Sequence, residues 1–137
     1  MVIIIHGAIP IINQYIADKL IPDLPSNTIR MDENAWEDIT STSLDDMLVA
    51  SDYISKQGFI VLISCLNPQL NKNKNKSEYL EIQLLPNIHK LKKSLNKKKE
   101  IVEKNNRLQI DTSDMSFDDC LSKVRDFVIK KLNISDV

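Results

Sequence analysis

Residues 2–20 read VIIIHGAIPIINQYIADKL, in which an apolar run leads through a single glycine, Gly7, into an amphipathic segment. This order is typical of a phosphate-binding strand, loop and helix, because backbone N–H groups after the glycine and at the helix start can hold an anion. Ile12, Ile16 and Leu20 recur at helical spacing and predict a helix over 9–21 with one apolar stripe. The stretch therefore predicts the opening strand and helix of an α/β domain.

Strand-like runs recur along the rest of the chain with helical patterns between them. They are TIRMD (28–32), FIVLIS (59–64), YLEIQLL (79–85) and RLQID (107–111). Uninterrupted apolar runs such as FIVLI are typical of parallel strands that helices cover on both faces. We therefore predict one domain, residues 1–137, with a three-layer, doubly wound, parallel five-stranded sheet.

Two further helices carry recognisable start and stop signals. Ser43 opens SLDDMLVASDYISKQG, in which Asp46 would complete a capping box and Gly58 would end the helix. Ser116 is the predicted cap of SFDDCLSKVRDFVIKKL. The predicted buried stripe of that last helix consists of Phe117, Leu121, Val124 and Val128.

Two polar tracts interrupt this pattern. NPQLNKNKNKS (67–77) is rich in Asn and Lys, which cannot build a core, and we predict a mobile loop there. The second tract, 89–106, is basic but keeps Leu91, Leu95 and Val102 at roughly helical spacing. It predicts a basic amphipathic helix or a shortened lid.

Composition excludes several classes of function. The chain has 137 residues and a net charge of -1, which offers no overall field for nucleic acid or an anionic membrane, and its basic tracts lack the interleaved aromatic residues that stack on bases. It contains no apolar run near the roughly 20 residues of a membrane helix and no signal-peptide pattern, so we expect a cytoplasmic protein without membrane or specific nucleic-acid partners. Cys65 and Cys120 are expected to be free thiols. His6 and His89 fit no metal-ligand spacing, so we expect a buried or hydrogen-bonded histidine rather than a metal ligand, and no metal.

Six segments, in chain order, resemble those of adenylylsulfate (APS) kinases and related small P-loop kinases. They are HGAIPIINQYIADKL, TIRMDEN, VASDYISKQGFIVLISCLNP, EYLEIQLL, KSLNKK and LQIDTSDMSFDDCLSKV. The resemblance covers most of the chain and implies a P-loop kinase-like fold with strand order 2-3-1-4-5 and the first strand at its centre.

The phosphate loop departs from this family's pattern. A working G-x-x-x-x-G-K-[ST] loop needs glycines that let N–H groups close on phosphate, a lysine for the phosphate charge and a hydroxyl for Mg²⁺. The resemblance places the nucleotide site at Gly7, Asn13 and Gln14, so Asn13 replaces the lysine and Gln14 the hydroxyl residue, while Ile12 replaces the second glycine. We expect Ile9, Ile11 and Ile12 to fold over the helix start and fill the space of a β-phosphate.

The remaining site residues follow from the same resemblance. In MDENAWE, Asp32 takes the position of a carboxylate near Mg²⁺ and would be catalytic only in an active enzyme; a cap of the following turn is the alternative. The substrate-side positions are Asn34, Asn67, Lys93 and Lys97. The family's substrate-binding arginines are missing, and Asp45 and Asp46 reverse the expected charge.

The pattern of losses favours a degenerate APS kinase-like protein without normal ATP-dependent kinase activity. Such a protein would be a binding, regulatory or assembly module, with a protein partner or a second copy of itself and no cofactor. The alternative is an active small-molecule or nucleotide kinase with a rebuilt phosphate site. It would use ATP and Mg²⁺, with Asp32 as base or metal ligand and the lysines of 92–99 for the phosphate charge.

Overall fold

The computed structural model describes residues 1–69, 78–85, 101–113 and 115–133. Its strands are β1 Val2–Gly7, β2 Thr28–Asp32, β3 Ile60–Cys65, β4 Tyr79–Leu85, β5 Ile101–Lys104 and β6 Arg107–Asp111. Its helices are α1 Pro10–Leu20, α2 Glu33–Thr40, α3 Leu44–Lys56 and α4 Phe117–Leu132, and a 3₁₀ turn occupies Ile21–Asp23. The strands form one sheet in the order β2-β3-β1-β4-β6-β5.

The α/β class and the mostly parallel sheet are confirmed. The strands predicted from the sequence are β1, β2, β3, β4 and β6, and they lie side by side in parallel, with β1 in the middle of the five. The predicted number of strands was wrong. A sixth strand, β5, pairs antiparallel with β6 and forms one edge of the sheet.

The extra strand falls within the tract predicted as a basic helix or lid, residues 89–106. Ile101 pairs with Ile110 across a tight turn, in which Asn105 adopts a positive φ of 52° that asparagine tolerates. Ile101 also packs against the buried core, and this burial together with the strand pairing explains why 101–104 is not helical. Residues 86–100 lie outside the described residues, as do residues 70–77 of the loop predicted over 67–77.

The core has two parts, one on each face of the sheet, because successive side chains of a strand point to opposite faces. Ile3 and Ile5 of β1 pack in a cluster with α1 and α4, whereas Val2 and Ile4 pack in a second cluster with α3. Helices therefore cover both faces around β1, as the apolar strands predicted.

The second face carries apolar side chains on one side of the sheet and polar side chains on the other. Helices α2 and α3 pack over β1, β2 and β3, where the strand side chains are apolar. On β4 and β6 the residues of that face are Glu81, Gln83, Arg107 and Gln109, which alternate with buried Leu and Ile residues of the first face. Half of the second face is therefore polar.

The helix signals were confirmed in part. The Ser116 side chain accepts a hydrogen bond from the Asp119 N–H at 3.0 Å and caps α4, and Gly58 follows α3 with a φ of 98°. Ser43 caps α3 without a side-chain hydrogen bond, so its predicted capping box was wrong. Phe117, predicted to be buried, is 50% exposed, because it lies in the first turn of α4 and contacts the Tyr15 ring instead of the sheet.

The buried stripe of α4 lies slightly to one side of the predicted one. Its buried residues are Cys120, Val124, Phe127 and Val128. No helix within the described ranges combines the length and the apolar character that crossing a membrane requires.

Candidate functional site

The turn between β1 and α1 is shorter than a phosphate loop. Only two residues, Ala8 and Ile9, separate β1 from α1, and the N–H groups of Ile12 and Asn13 lie 3.1 and 3.3 Å from the Ile9 carbonyl oxygen. A phosphate loop needs these N–H groups directed at an anion. Here they begin the helix, and Pro10 has no N–H.

The side chain of Asn13, a residue of the nucleotide site expected from the sequence, is buried. Its Nδ2 donates to the carbonyl oxygens of Gly7, at 2.9 Å, and of Cys65, at 3.0 Å. The Oδ1 atom has no hydrogen-bond partner within the described part of the chain. The amide thus connects α1 with the carboxyl ends of β1 and β3.

Gly7 is required by close packing within the sheet. A Cβ atom at this position would lie 2.5 Å from the Leu84 carbonyl oxygen and 3.0 Å from Asn13 Oδ1. Contacts this short cannot be accommodated without movement of the β4 backbone. The approach of β4 therefore explains the glycine without any bound phosphate.

The predicted closure of the turn by three isoleucines was wrong. Ile11 is 72% exposed and Ile9 is 36% exposed, and only Ile12 packs against the core. The physical reason is the early start of α1 at Pro10, which directs Ile11 outward. The Asn13 amide, not isoleucine, lies between the ends of β1 and β3.

Asp32 lies at the carboxyl end of β2, as predicted, with both oxygens engaged. Its Oδ1 accepts from Ser64 Oγ at 2.5 Å. Its Oδ2 accepts from the N–H groups of Asn34 and Ala35, at 3.1 and 3.3 Å, and from Gln14 Nε2 at 3.3 Å. Asp32 is the N-cap of α2, which is the structural alternative named from the sequence.

The cleft around Asp32 is small and carries only negative charge. Its volume is about 10 Å³, room for about one water molecule. Asp32 and Glu33 are the charged residues among those that line it, and Glu33 Oε1 accepts from the Leu66 N–H at 2.9 Å. Burial, with the nearby Glu33 and Asp32 carboxylates, raises the pKa of the Cys65 thiol far above its usual range, so Cys65 is no nucleophile.

The structure separates the predicted substrate residues. Asn34 lines the cleft beside Asp32, whereas Asn67 lines a different depression. Lys93 and Lys97 lie outside the described residues. Across the described ranges, no three His, Cys, Asp or Glu side chains are grouped so as to hold a metal ion.

The second depression has a volume of about 230 Å³ and lies on the polar half of the second face. Its centre is Glu81, whose Oε2 lies 2.8 Å from His6 Nε2 and whose Oε1 lies 3.5 Å from Arg107 Nε. The hydrogen bond from His6 lowers the pKa of the Glu81 carboxyl; burial opposes this effect, and the charges of His6 and Arg107 add to it. We call this depression the β4–β6 pocket.

Sequence reasoning identified only part of this pocket. His6 is buried and hydrogen-bonded, as predicted. Glu81, Gln83 and Arg107 were missed, although YLEIQLL and RLQID contain the signal. In both strands polar residues alternate with Leu and Ile, and this alternation indicates one face without an apolar cover.

No protein-family model matches this chain, and no curated protein sequence matches it.

Proposed function

We propose that this chain is a non-catalytic P-loop kinase-like domain, related to the APS kinases, that acts as a binding, regulatory or assembly module. The observation that carries the proposal is the buried Asn13 amide, bonded to Gly7 and Cys65 at the position of the phosphate-binding lysine. The parallel order of β2, β3, β1, β4 and β6 and the segment order of the sequence support the relationship.

Electrostatics argue against binding of a nucleoside triphosphate in the cleft. The phosphates would meet the carboxylates of Asp32 and Glu33, and no lysine or arginine is among the described residues that line the cleft. Two like charges 4 Å apart repel by about 4 kcal/mol at an effective dielectric constant of 20. The dipole of α1 contributes only about 0.3–1 kcal/mol toward an anion. Repulsion by the two carboxylates therefore exceeds the attraction of the helix dipole, and binding of phosphate in the cleft is disfavoured.

The hydrogen bonds of Asp32 argue against its use as a catalytic base. A base must accept a proton from a substrate, whereas Asp32 Oδ2 already accepts three hydrogen bonds and Oδ1 accepts one. Use of Oδ2 would require loss of the α2 cap, and use of Oδ1 would compete with the Ser64 hydroxyl. We therefore assign Asp32 a structural role.

Isothermal titration calorimetry with ATP and with ADP, each with and without Mg²⁺, tests the non-catalytic half of the proposal. The expected result is no saturable heat. In thermal denaturation with the same ligands we expect no rise in the midpoint of unfolding. An intact P-loop kinase titrated in the same buffer is the positive control. Micromolar binding of ATP would overturn the proposal and support the alternative, an active kinase with a rebuilt phosphate site.

A module needs a surface through which it binds, and several exposed apolar side chains follow the carboxyl ends of the parallel strands, at the edge of the sheet that these ends form. They are Ile9 and Ile11 after β1, Leu66 after β3, and Phe117 at the start of α4. Exposed apolar groups at one edge are typical of protein interaction sites. We expect self-association or partner binding to use this edge.

Sedimentation velocity over a range of protein concentrations tests self-association. If copies of the chain associate through this edge, Ile11→Asp lowers the apparent mass, while Val49→Asp, at an exposed apolar position on α3, leaves it unchanged. Equal loss in both variants would exclude this edge as the interface. A monomer at all concentrations would leave a different protein as the partner.

A further inference from the structure

The β4–β6 pocket is built by cross-strand neighbours. Glu81 is paired in register with Arg107, and His6 is paired with Gln83. Their side chains point to the same face, because each alternates with a residue of the first core cluster. The pocket shares no lining residue with the cleft at Asp32.

The acidic group of the pocket is already compensated. One oxygen of Glu81 is bonded to His6 and the other faces Arg107. The Glu81 side chain is 17% exposed, so water contributes little to balancing its charge. A ligand therefore meets a carboxylate whose two oxygens both have partners, while the half-exposed Arg107 guanidinium keeps N–H groups that do not face Glu81.

The orientation of Gln83 decides which polar groups remain available. Its Oε1 accepts two hydrogen bonds, from Arg107 Nη2 at 2.8 Å and from Gln109 Nε2 at 2.7 Å. Two donors on one oxygen identify it as the carbonyl end of the amide, so the NH₂ end is left over. Among the described residues, that NH₂ group has no hydrogen-bond partner.

The other lining groups add donors. The Arg107 side chain is 49% exposed and uses only Nε and Nη2 in the bonds above, which leaves Nη1. Asn67 accepts from the Gln69 N–H at 3.4 Å through Oδ1, so its NH₂ group is also left over. The pocket thus presents a guanidinium and two amide NH₂ groups.

We propose that the β4–β6 pocket binds a small organic molecule through one oxyanion group, a carboxylate or a phosphate. Arg107 supplies the charge, and the NH₂ groups of Gln83 and Asn67 supply neutral donors. At about 230 Å³ the pocket has room for a body attached to the anionic group. This site is independent of the proposed non-catalytic role.

The test is a titration of the ¹⁵N-labelled chain with acetate and, separately, with inorganic phosphate, both against chloride at equal ionic strength. We expect saturable shifts at the amides of residues 6, 81, 83 and 107 and not at residue 125. The probe that saturates at the lower concentration identifies the carboxylate or the phosphate source. Linear shifts that chloride reproduces, or saturation elsewhere on the chain, would overturn the site.

Two variants separate binding from folding. Arg107→Gln removes the charge and should weaken binding about tenfold or more. Gln83→Glu keeps the size of the side chain but places a negative charge where the anion would lie, and should abolish binding while Arg107 still has a partner. Arg125→Gln, at an exposed arginine on α4 that pairs with Asp23, is the matched control and should bind as the parent does.

Circular dichroism confirms that each variant is folded before it is titrated. Anion binding that survives unchanged in folded Gln83→Glu would overturn the proposal, whatever Arg107→Gln does. Loss of binding in Arg125→Gln would show a general charge effect and would overturn it as well.

Discussion

Asn13 Nδ2 lies 3.0 Å from the carbonyl oxygen of Cys65, so the first helix is bonded to the end of a strand 52 residues away in the chain. The same nitrogen donates to Gly7, and one amide thereby supplies a donor to two carbonyl groups at the ends of β1 and β3. Buried carbonyl groups need such partners. The Asn13 side chain thus stabilises the fold by connecting α1 with the ends of β1 and β3.

We predict that Asn13→Ala lowers the free energy of unfolding by about 1–3 kcal/mol, because two buried carbonyl oxygens lose their donor. Asn13→Lys should also lower it, since the longer side chain would lose the two short amide hydrogen bonds to Gly7 and Cys65 and would bring a charged group into a buried position. Urea denaturation measures both. Ile11→Ala, at an exposed position on the same helix, should change stability by no more than about 0.5 kcal/mol. A stabilising Asn13→Lys variant would contradict this account.

Gly7→Ala should cost about 1–3 kcal/mol, because the new Cβ atom would lie 2.5 Å from the Leu84 carbonyl oxygen and push β4 away from β1. Gly58→Ala provides the comparison. No atom of the described residues lies within 4 Å of a Cβ atom there, so we expect the cost to come from the φ of 98°. Gly58→Asn should therefore recover part of that loss, whereas Gly7→Asn should be no better than Gly7→Ala in thermal denaturation.

The two serine caps should respond differently to substitution. Ser116→Ala removes the hydrogen bond to the Asp119 N–H and should cost about 0.5–2 kcal/mol. Ser43→Ala removes no side-chain hydrogen bond and should lower the free energy of unfolding by only about a few tenths of a kcal/mol. Chemical denaturation of the two variants side by side makes the comparison. Equal losses would show that the hydrogen bond at Ser116 is not what stabilises α4.

The lowered pKa of Glu81 predicts how stability depends on pH. A carboxyl whose pKa is lower in the folded state stabilises the protein above its unfolded value, and this contribution is lost as pH falls through the folded value. The stability difference between the parent and Glu81→Gln should therefore be present above the ordinary pKa of 4.5 and shrink on acidification below it. Urea denaturation near pH 7 and near pH 3 measures it.

His6→Ala is the companion variant, because the hydrogen bond from His6 is the largest cause of the lowered pKa. Like Glu81→Gln, it should make the free energy of unfolding fall less between pH 7 and pH 3 than it does in the parent. A difference between the parent and Glu81→Gln that stays constant from neutral to acid pH would contradict the assignment.

Local patterns in the sequence determined the parallel strands β1, β2, β3, β4 and β6, the region of α1, and the cap of α4 at Ser116. Each of these depends on neighbours a few residues apart, through apolar spacing or a hydrogen bond within one turn. One wrong prediction came from reading local spacing alone. The tract at 101–104 has a weak helical spacing, and pairing with β6 outweighed it.

Only the tertiary structure decided which polar groups meet. His6 and Glu81 are 75 residues apart in the chain, and Asn13 and Cys65 are 52 apart. Their contacts depend on which strands lie side by side and on the register between them, since a shift of one residue would turn Glu81 to the other face. The sequence alone determined that a strand, a glycine and a helix follow one another at residues 2–20. The packing of β4 and β3 against that unit determined that its polar groups bind the protein's own backbone, because buried carbonyl groups must find donors wherever the fold brings them.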